Sequence, residues 1–160
     1  MVGAVVGTLP WLFVALVVAY FAFQLQQWLK RRAAFREFAR ARGLRFRGTL
    51  PSDKYAPYAV FGIVSRATLL YHVAEGHLNG FDVGVFDFPT KGGTLTGAIV
   101  SGLPVVDAPR PPRDGEVSFD REDGHLLGFR SAVRIEDLPA FLESVMSVAR
   151  PLVIDRLRDS

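Results

Sequence analysis

Residues 2–32 read VGAVVGTLPWLFVALVVAYFAFQLQQWLKRR, and this stretch decides how the chain is organised. No side-chain charge occurs before Lys30. From Val2 to Phe23 only Thr8, Gly3, Gly7 and Pro10 interrupt the apolar run. An α-helix rises about 1.5 Å per residue, so about 20 apolar residues cross a hydrocarbon core of roughly 30 Å. In lipid a helix satisfies its own backbone polar groups, which makes helix the expected state. The stretch therefore predicts a transmembrane anchor over residues 1–29. Pro10 costs least in a first turn, so the regular span is expected from Leu9 to Leu29 with Thr8 as N-cap. Trp11 and Trp28 lie about 25 Å apart along such a helix and are the expected membrane-interface anchors. Gly3 and Gly7 form a G-x-x-x-G, which reads as end composition rather than as a packing seam.

Charge sets the orientation. Residues 30–47 carry eight basic side chains against one acid, Glu37. Basic flanks stay on the cytoplasmic side, so the N-terminus is expected outside and the rest of the chain inside. A cleaved signal peptide is the competing reading, but a basic segment ahead of the apolar run and a small-residue cleavage site are both missing. Lys30, Arg31, Arg32, Arg36 and Arg40 are placed at the membrane surface. There each is expected to gain about 1 kcal/mol from anionic lipid headgroups.

Of the 160 residues, about 130 follow the anchor, which suits one domain. The chain has no cysteine, so disulfides and thiolate metal sites are excluded. The net charge of +3 belongs to the juxtamembrane segment. Beyond residue 47 acids outnumber bases by 15 to 11, which argues against a nucleic-acid surface. Arg exceeds Lys sixteen to three, a composition typical of GC-rich bacterial genomes.

The helix is expected to continue as a basic juxtamembrane segment over residues 30–43. Ala34, Phe35, Phe38 and Ala41 form a stripe that docks on the domain's own sheet, and Gly43 stops the helix. Residues 44–151 predict an α+β domain, a mainly antiparallel sheet of about five strands covered by a C-terminal helix. Residues 152–160 form a charged tail.

Leu44 to Gly48 alternates as a first strand. Residues 51–57 form a turn-rich loop, and Tyr58 to Ser65 is ambiguous between strand and helical turn. Ala67–Leu78 and Phe81–Pro89 are β-rich runs joined by Asn79-Gly80, the strongest short hairpin signal. A type I′ turn there pairs Leu78 with Phe81, His77 with Asp82, Val73 with Phe86 and His72 with Asp87. Alternation then sets His77, Glu75, Val73, Tyr71, Asp82, Phe86 and Phe88 on one face. Leu78, Ala74, His72, Leu70, Phe81, Val83, Val85 and Asp87 take the other.

A third strand is expected over Thr94–Leu103, with Leu95, Ala98 and Val100 buried. Four prolines keep residues 104–112 irregular. Glu116–Asp120 and His125–Arg130 predict a second hairpin across residues 121–124. Glu136 to Val148 predicts a final helix whose stripe is Leu138, Phe141, Leu142, Val145, Met146 and Ala149, ended by Pro151.

Two cross-strand His–Asp pairs result. His77–Asp82 flanks the exposed turn and reads as a solvated pair. His72–Asp87 lies among apolar residues; a His beside a carboxylate can act as general base or metal ligand. A structural hydrogen bond is the favoured role, because no nucleophile or substrate pocket accompanies it. His125 is expected to be solvated. Ser65, Ser101 and Ser118 lack a Gly-x-Ser-x-Gly context. Lys91-Gly92-Gly93-Thr94 lacks the order and following helix of a phosphate loop. The acids at 120–123 miss the calcium-loop pattern. No cofactor or metal is expected.

The order of these parts resembles a broad group of uncharacterised bacterial membrane-anchored proteins. The resemblance rests on the anchor, the run from Phe38 to Phe46, the hairpin end Val83-Gly84-Val85-Phe86-Asp87-Phe88, the run from His125 to Arg130, and Leu138 to Leu142. It implies an N-terminal transmembrane helix with a small α+β domain and transfers no reaction or functional residue.

These observations lead to an expectation of a non-enzymatic accessory protein. It is single-pass in the bacterial inner membrane and presents a cytoplasmic domain to a membrane-protein partner. One alternative is a membrane-bound hydrolase or metal-dependent enzyme using His72 and Asp87, which requires a cleft at that pair. Another is a lipid or small-ligand domain, which requires an apolar cavity between the sheet and the last helix.

Overall fold

The computed structural model describes residues 3–53, 57–105 and 117–158, with the side chains of 3–9 and 154–158 outside the description. The chain divides into two compact units, Met1–Ala33 and Ala34–Ser160.

The first unit is helical. Helix α1 spans Gly3–Ala41, and its first turns and body, through residue 33, make up this unit. The part from Pro10 to Ala41 is long and apolar enough to cross a membrane, and the apolar stretch that makes it so is not buried. Pro10 stands inside the helix and not in its first turn. The apolar run ahead of it continues the helix, and one missing backbone donor is tolerated in such a segment. The Thr8 side chain, and with it the expected cap, lies outside the described residues.

The second unit begins with the last turns of α1. Phe35, Phe38 and Ala39 are buried, while Ala41 is exposed and Ala34 half-buried. The docking stripe thus runs i, i+3, i+4 from Phe35. The helix ends as expected. Gly43 takes φ +67°, the Leu44 N–H donates to the Ala39 carbonyl at 2.8 Å, and the Gly43 N–H donates to Arg40 at 3.2 Å. This is a Schellman stop, which requires the left-handed backbone glycine adopts readily.

An antiparallel sheet follows, with six strands rather than about five: β1 Arg45–Pro51, β2 Leu69–Leu78, β3 Phe81–Thr90, β4 Gly93–Ser101, β5 Ser118–Glu122 and β6 His125–Ser131. Their spatial order is β1-β2-β3-β4-β6-β5. Between β1 and β2, residues 58–60 form a 3₁₀ turn and Gly62–Ser65 a one-turn helix, α2, which resolves the ambiguous segment as helical. The β2–β3 turn has Asn79 at φ +51° and Gly80 at φ +87°, the two positive values a type I′ turn needs. The β5–β6 hairpin closes more tightly than expected, on Asp123-Gly124 alone, again with both φ positive. Residues 106–116, which include three of the four prolines, are outside the description.

A 3₁₀ turn at Ile135–Asp137 leads into α3, Leu138–Arg158. Pro151 does not end it. Proline removes one helical hydrogen bond, and Leu152 and Val153 continue to pack on the core beyond it, holding the next turn in place.

Two cores sandwich the sheet. On one face α3 and the end of α1 cover Ala74, Val83, Val85, Ala98, Val100 and Leu126. On the other, Tyr58, Phe61, Val64 and Ala67 cover Leu70, Val73, Phe86, Phe88, Ile99 and Leu127. The six expected stripe residues of α3 are all buried. Leu95 is half-buried and packs on the second core, on the opposite side from Ala98 and Val100.

Register departs from expectation at one place. From Leu78 to Ala74 the β2–β3 pairs are those the turn dictates, but Tyr71, not His72, then stands opposite Asp87. One extra residue is inserted in β2, a β-bulge. It moves Leu70 to the same face as Val73, correcting the alternation expected there.

Candidate functional site

The bulge places His72 in an unusual backbone, φ +53°, which few non-glycine residues adopt. Its side chain reaches inward. His72 Nδ1 lies 3.0 Å from Asp87 Oδ2, and the Thr96 hydroxyl donates to Asp87 Oδ1 at 2.8 Å. The Val133 N–H donates to the same Thr96 oxygen at 3.0 Å, and the Phe35 ring packs on the imidazole at 5.4 Å. Three strands, the segment after β6 and the end of α1 therefore meet at one buried polar chain.

The sequence singled out this pair, and the structure brings it together. His72 and Asp87 are only 4 % and 1 % exposed. Both carboxylate oxygens of Asp87 are occupied by neighbours within the core. Neither residue lines the two cavities described below. Buried side chains hydrogen-bonded to one another in this way help to specify a particular packing. Among the described residues no group of three His, Asp or Glu side chains gathers as metal ligands.

An accessible polar site lies elsewhere. His77, Asp82, Ser101, His125 and Glu122 occupy directly opposed positions on five neighbouring strands, β2, β3, β4, β6 and β5. Opposed residues share a face, so they form one polar row across the sheet. Two hydrogen bonds lie within it: His77 Nδ1 with Asp82 Oδ1 at 3.1 Å, and His125 Nδ1 with the Ser101 hydroxyl at 2.8 Å. His77 and Asp82 are solvent-exposed, as expected. His125 is half-buried and not simply solvated. Burial holds its imidazole below the ordinary histidine range, with the Asp123 charge acting in the opposite direction.

Beside this row is a cavity of about 310 Å³, whose lining includes Tyr58, Glu75, His77, Asp82, Gly84 and Ser101. Tyr58 donates to Glu75 Oε2 at 3.3 Å, and Arg47 Nε donates to Glu75 Oε1 at 2.6 Å. Burial first, and then the Glu75 charge, push the Tyr58 phenol well above its usual pKa. Gly84 makes the arrangement possible, since a Cβ there would stand 2.6 Å from the Tyr58 hydroxyl.

Sequence reasoning found His77–Asp82 because a two-residue turn fixes their register. It missed Ser101–His125, whose strands are joined by a long segment with no local register signal. A neutral histidine hydrogen-bonded to a serine is the first half of a nucleophile–base arrangement. Among the described residues no carboxylate hydrogen-bonds His125 to orient it.

The expected membrane-surface residues distribute as follows. Lys30, Arg36 and Arg40 are exposed, and Arg31 and Arg32 half-buried. Arg32 lies over the Trp28 ring at 5.3 Å, and Arg36 over Phe46 at 5.6 Å. Trp11 is 75 % exposed.

No family model matches the chain, and no curated protein and no solved structure matches it.

Proposed function

We propose that this is a single-pass membrane protein of the bacterial inner membrane whose cytoplasmic α+β domain is a non-enzymatic accessory module for a membrane-protein partner. One observation carries the reading. Along α1 the large apolar side chains from Trp11 to Leu29 point outward uncovered, including Phe13 at 70 %, Leu16 at 71 % and Phe21 at 65 % exposed. Burying each such side chain is worth about 1.5–3 kcal/mol, and lipid is the medium that covers them all at once. The arginine-rich segment after it supports the inward orientation and contact with anionic headgroups. The closed packing of His72 and Asp87 supports a structural role for the pair over a catalytic one. The polar row from His77 to Glu122 is the surface this reading assigns to the partner.

The absence of cysteine gives a clean test of topology. A cysteine introduced at exposed Ser131 should resist a membrane-impermeant maleimide in intact spheroplasts and react after lysis. Reaction before lysis reverses the topology. The full chain should remain in carbonate-washed membranes, while residues 30–160 should be released. Retention of the shortened chain removes the helix as sole anchor. Cross-linking from the polar row should yield one stoichiometric adduct with a membrane protein, and an absence of any adduct overturns the partner.

A further inference from the structure

The face of the sheet opposite α3 carries a cavity of about 690 Å³. The lipid or small-ligand alternative requires a cavity between the sheet and the last helix, but that side is filled by Val85, Ala98, Leu126, Leu142, Val145 and Met146, each fully buried. The observed space lies between the segment following α2 and the β3–β4 hairpin. Its volume falls within the roughly 300–1,000 Å³ typical of small-molecule sites.

The lining has a definite chemistry. Arg66 stands on one wall and Lys91 on the other. None of the lining residues is acidic. Among the described residues neither cationic side chain has a hydrogen bond or ion pair. The apolar contribution comes from Ile63, Ala67, Pro89 and Leu95. Ile63 and Leu95 pack on the second core from its margin, so their positions are fixed by the fold. No aromatic side chain lines the space, which leaves nothing for a nucleobase to stack upon and favours an alkyl chain.

We propose that this groove binds an anionic amphiphile, with a phosphate or carboxylate head between Arg66 and Lys91 and an alkyl chain along Ile63, Pro89 and Leu95. Both cationic side chains line the same space and no acidic residue lines it, so an anion placed there is attracted by both. The apolar margin distinguishes this site from a bare anion patch, because each methylene it covers multiplies affinity about fourfold. The site lies wholly within the Ala34–Ser160 unit and does not depend on the tether-and-partner reading.

The test uses the full chain in phosphatidylcholine nanodiscs. Gly92→Cys provides the only thiol, on the cavity rim, where a Cβ meets nothing closer than the Thr90 hydroxyl at 4.0 Å. An environment-sensitive fluorophore there is titrated with inorganic phosphate, butyl, hexyl and octyl phosphate, with empty nanodiscs correcting for partition. Affinity should rise at least tenfold from inorganic to octyl phosphate. Arg66→Gln with Lys91→Gln should abolish the response to all four. Leu95→Ala should weaken octyl phosphate while leaving inorganic phosphate unchanged. Circular dichroism confirms that each variant is folded.

Adding phosphatidylglycerol to the nanodiscs separates the sources of the ligand. A signal already saturated and lost in the double variant identifies a bilayer lipid, and a response to soluble probes alone identifies a free amphiphile. Either supports the site. Equal affinity along the series, or an unchanged response in the double variant, overturns it.

Discussion

The His72 side chain hydrogen-bonds Asp87 at 3.0 Å, yet the backbone residue opposite Asp87 is Tyr71. The bulge thus preserves a side-chain contact while breaking the register that would ordinarily create it. His72 swings its imidazole beneath Phe35 by adopting φ +53°. A non-glycine residue in that region carries about 1–3 kcal/mol of strain, sustained here by the surrounding packing. His is among the residue types enriched in this backbone region.

The pair should therefore behave as one unit in folding. His72→Ala and Asp87→Ala should each destabilise the domain by about 2–4 kcal/mol, since each leaves a buried partner unsatisfied. The double variant should lose less than the sum, with a coupling energy of at least about 1 kcal/mol. Urea unfolding followed by circular dichroism measures all three. Additive losses would mean that the contact contributes nothing of its own.

The bulge conformation has a separate signature. At an ordinary strand position glycine is worse than alanine. At φ +53° the order should invert, with His72→Gly more stable than His72→Ala by about 1 kcal/mol, because only glycine adopts this backbone without strain. The same urea experiment reads the difference, and a variant order of Ala above Gly would place residue 72 in extended backbone.

Helix α3 approaches the sheet over Gly128. A Cβ built there would lie 2.4 Å from Val145 Cγ2 and 3.1 Å from Phe119 Cε1. Gly128→Ala should cost about 1–3 kcal/mol through overpacking. Val145→Ala in the same chain should recover part of that loss, because it removes the atoms in collision. Thermal unfolding of the two variants and of Val145→Ala alone gives the comparison; a double variant no better than the sum of the singles would locate the strain elsewhere.

What the sequence made legible depended on how local each signal was. Asn79-Gly80 fixed a turn and five register pairs beyond it, and the stripe from Leu138 to Ala149 identified the covering helix, because both signals lie within a few residues. His72 carried no such mark: an inserted residue changes neither composition nor alternation enough to be seen, and it sent Leu70 to the other face. Pro151 misled because one lost hydrogen bond was outweighed by the packing of Leu152 and Val153. Ser101 and His125 became neighbours only through a β4–β6 pairing set by the completed sheet. Of the accessible polar row only His77–Asp82, set by the local turn, was legible in the sequence.

Tyr58 makes stability sensitive to alkali. Burial and Glu75 raise its phenol above the ordinary value near 10. The folded state therefore keeps its proton after the unfolded chain has begun to lose it. The stabilisation is fully present below about pH 10 and is lost as pH rises beyond. Tyr58→Phe should flatten the decline in unfolding free energy between about pH 9 and pH 11, as read by urea titrations. An unchanged slope would mean that the phenol is no better shielded than in the unfolded chain.

His125 works at the other end of the scale. Burial depresses its folded pKa below the ordinary value near 6.5. As pH falls, the unfolded chain takes up the proton first, so stability is complete above about 6.5 and declines below it. Protonation also changes the Ser101 contact, because Nδ1 then can only donate to the hydroxyl. His125→Gln should reduce the loss of stability between pH 7 and pH 5, and the imidazole should titrate below 6.5 by proton NMR of its ring. A titration at or above 6.5 would mean that solvent reaches the ring freely and that the Ser101–His125 pair is an open surface contact.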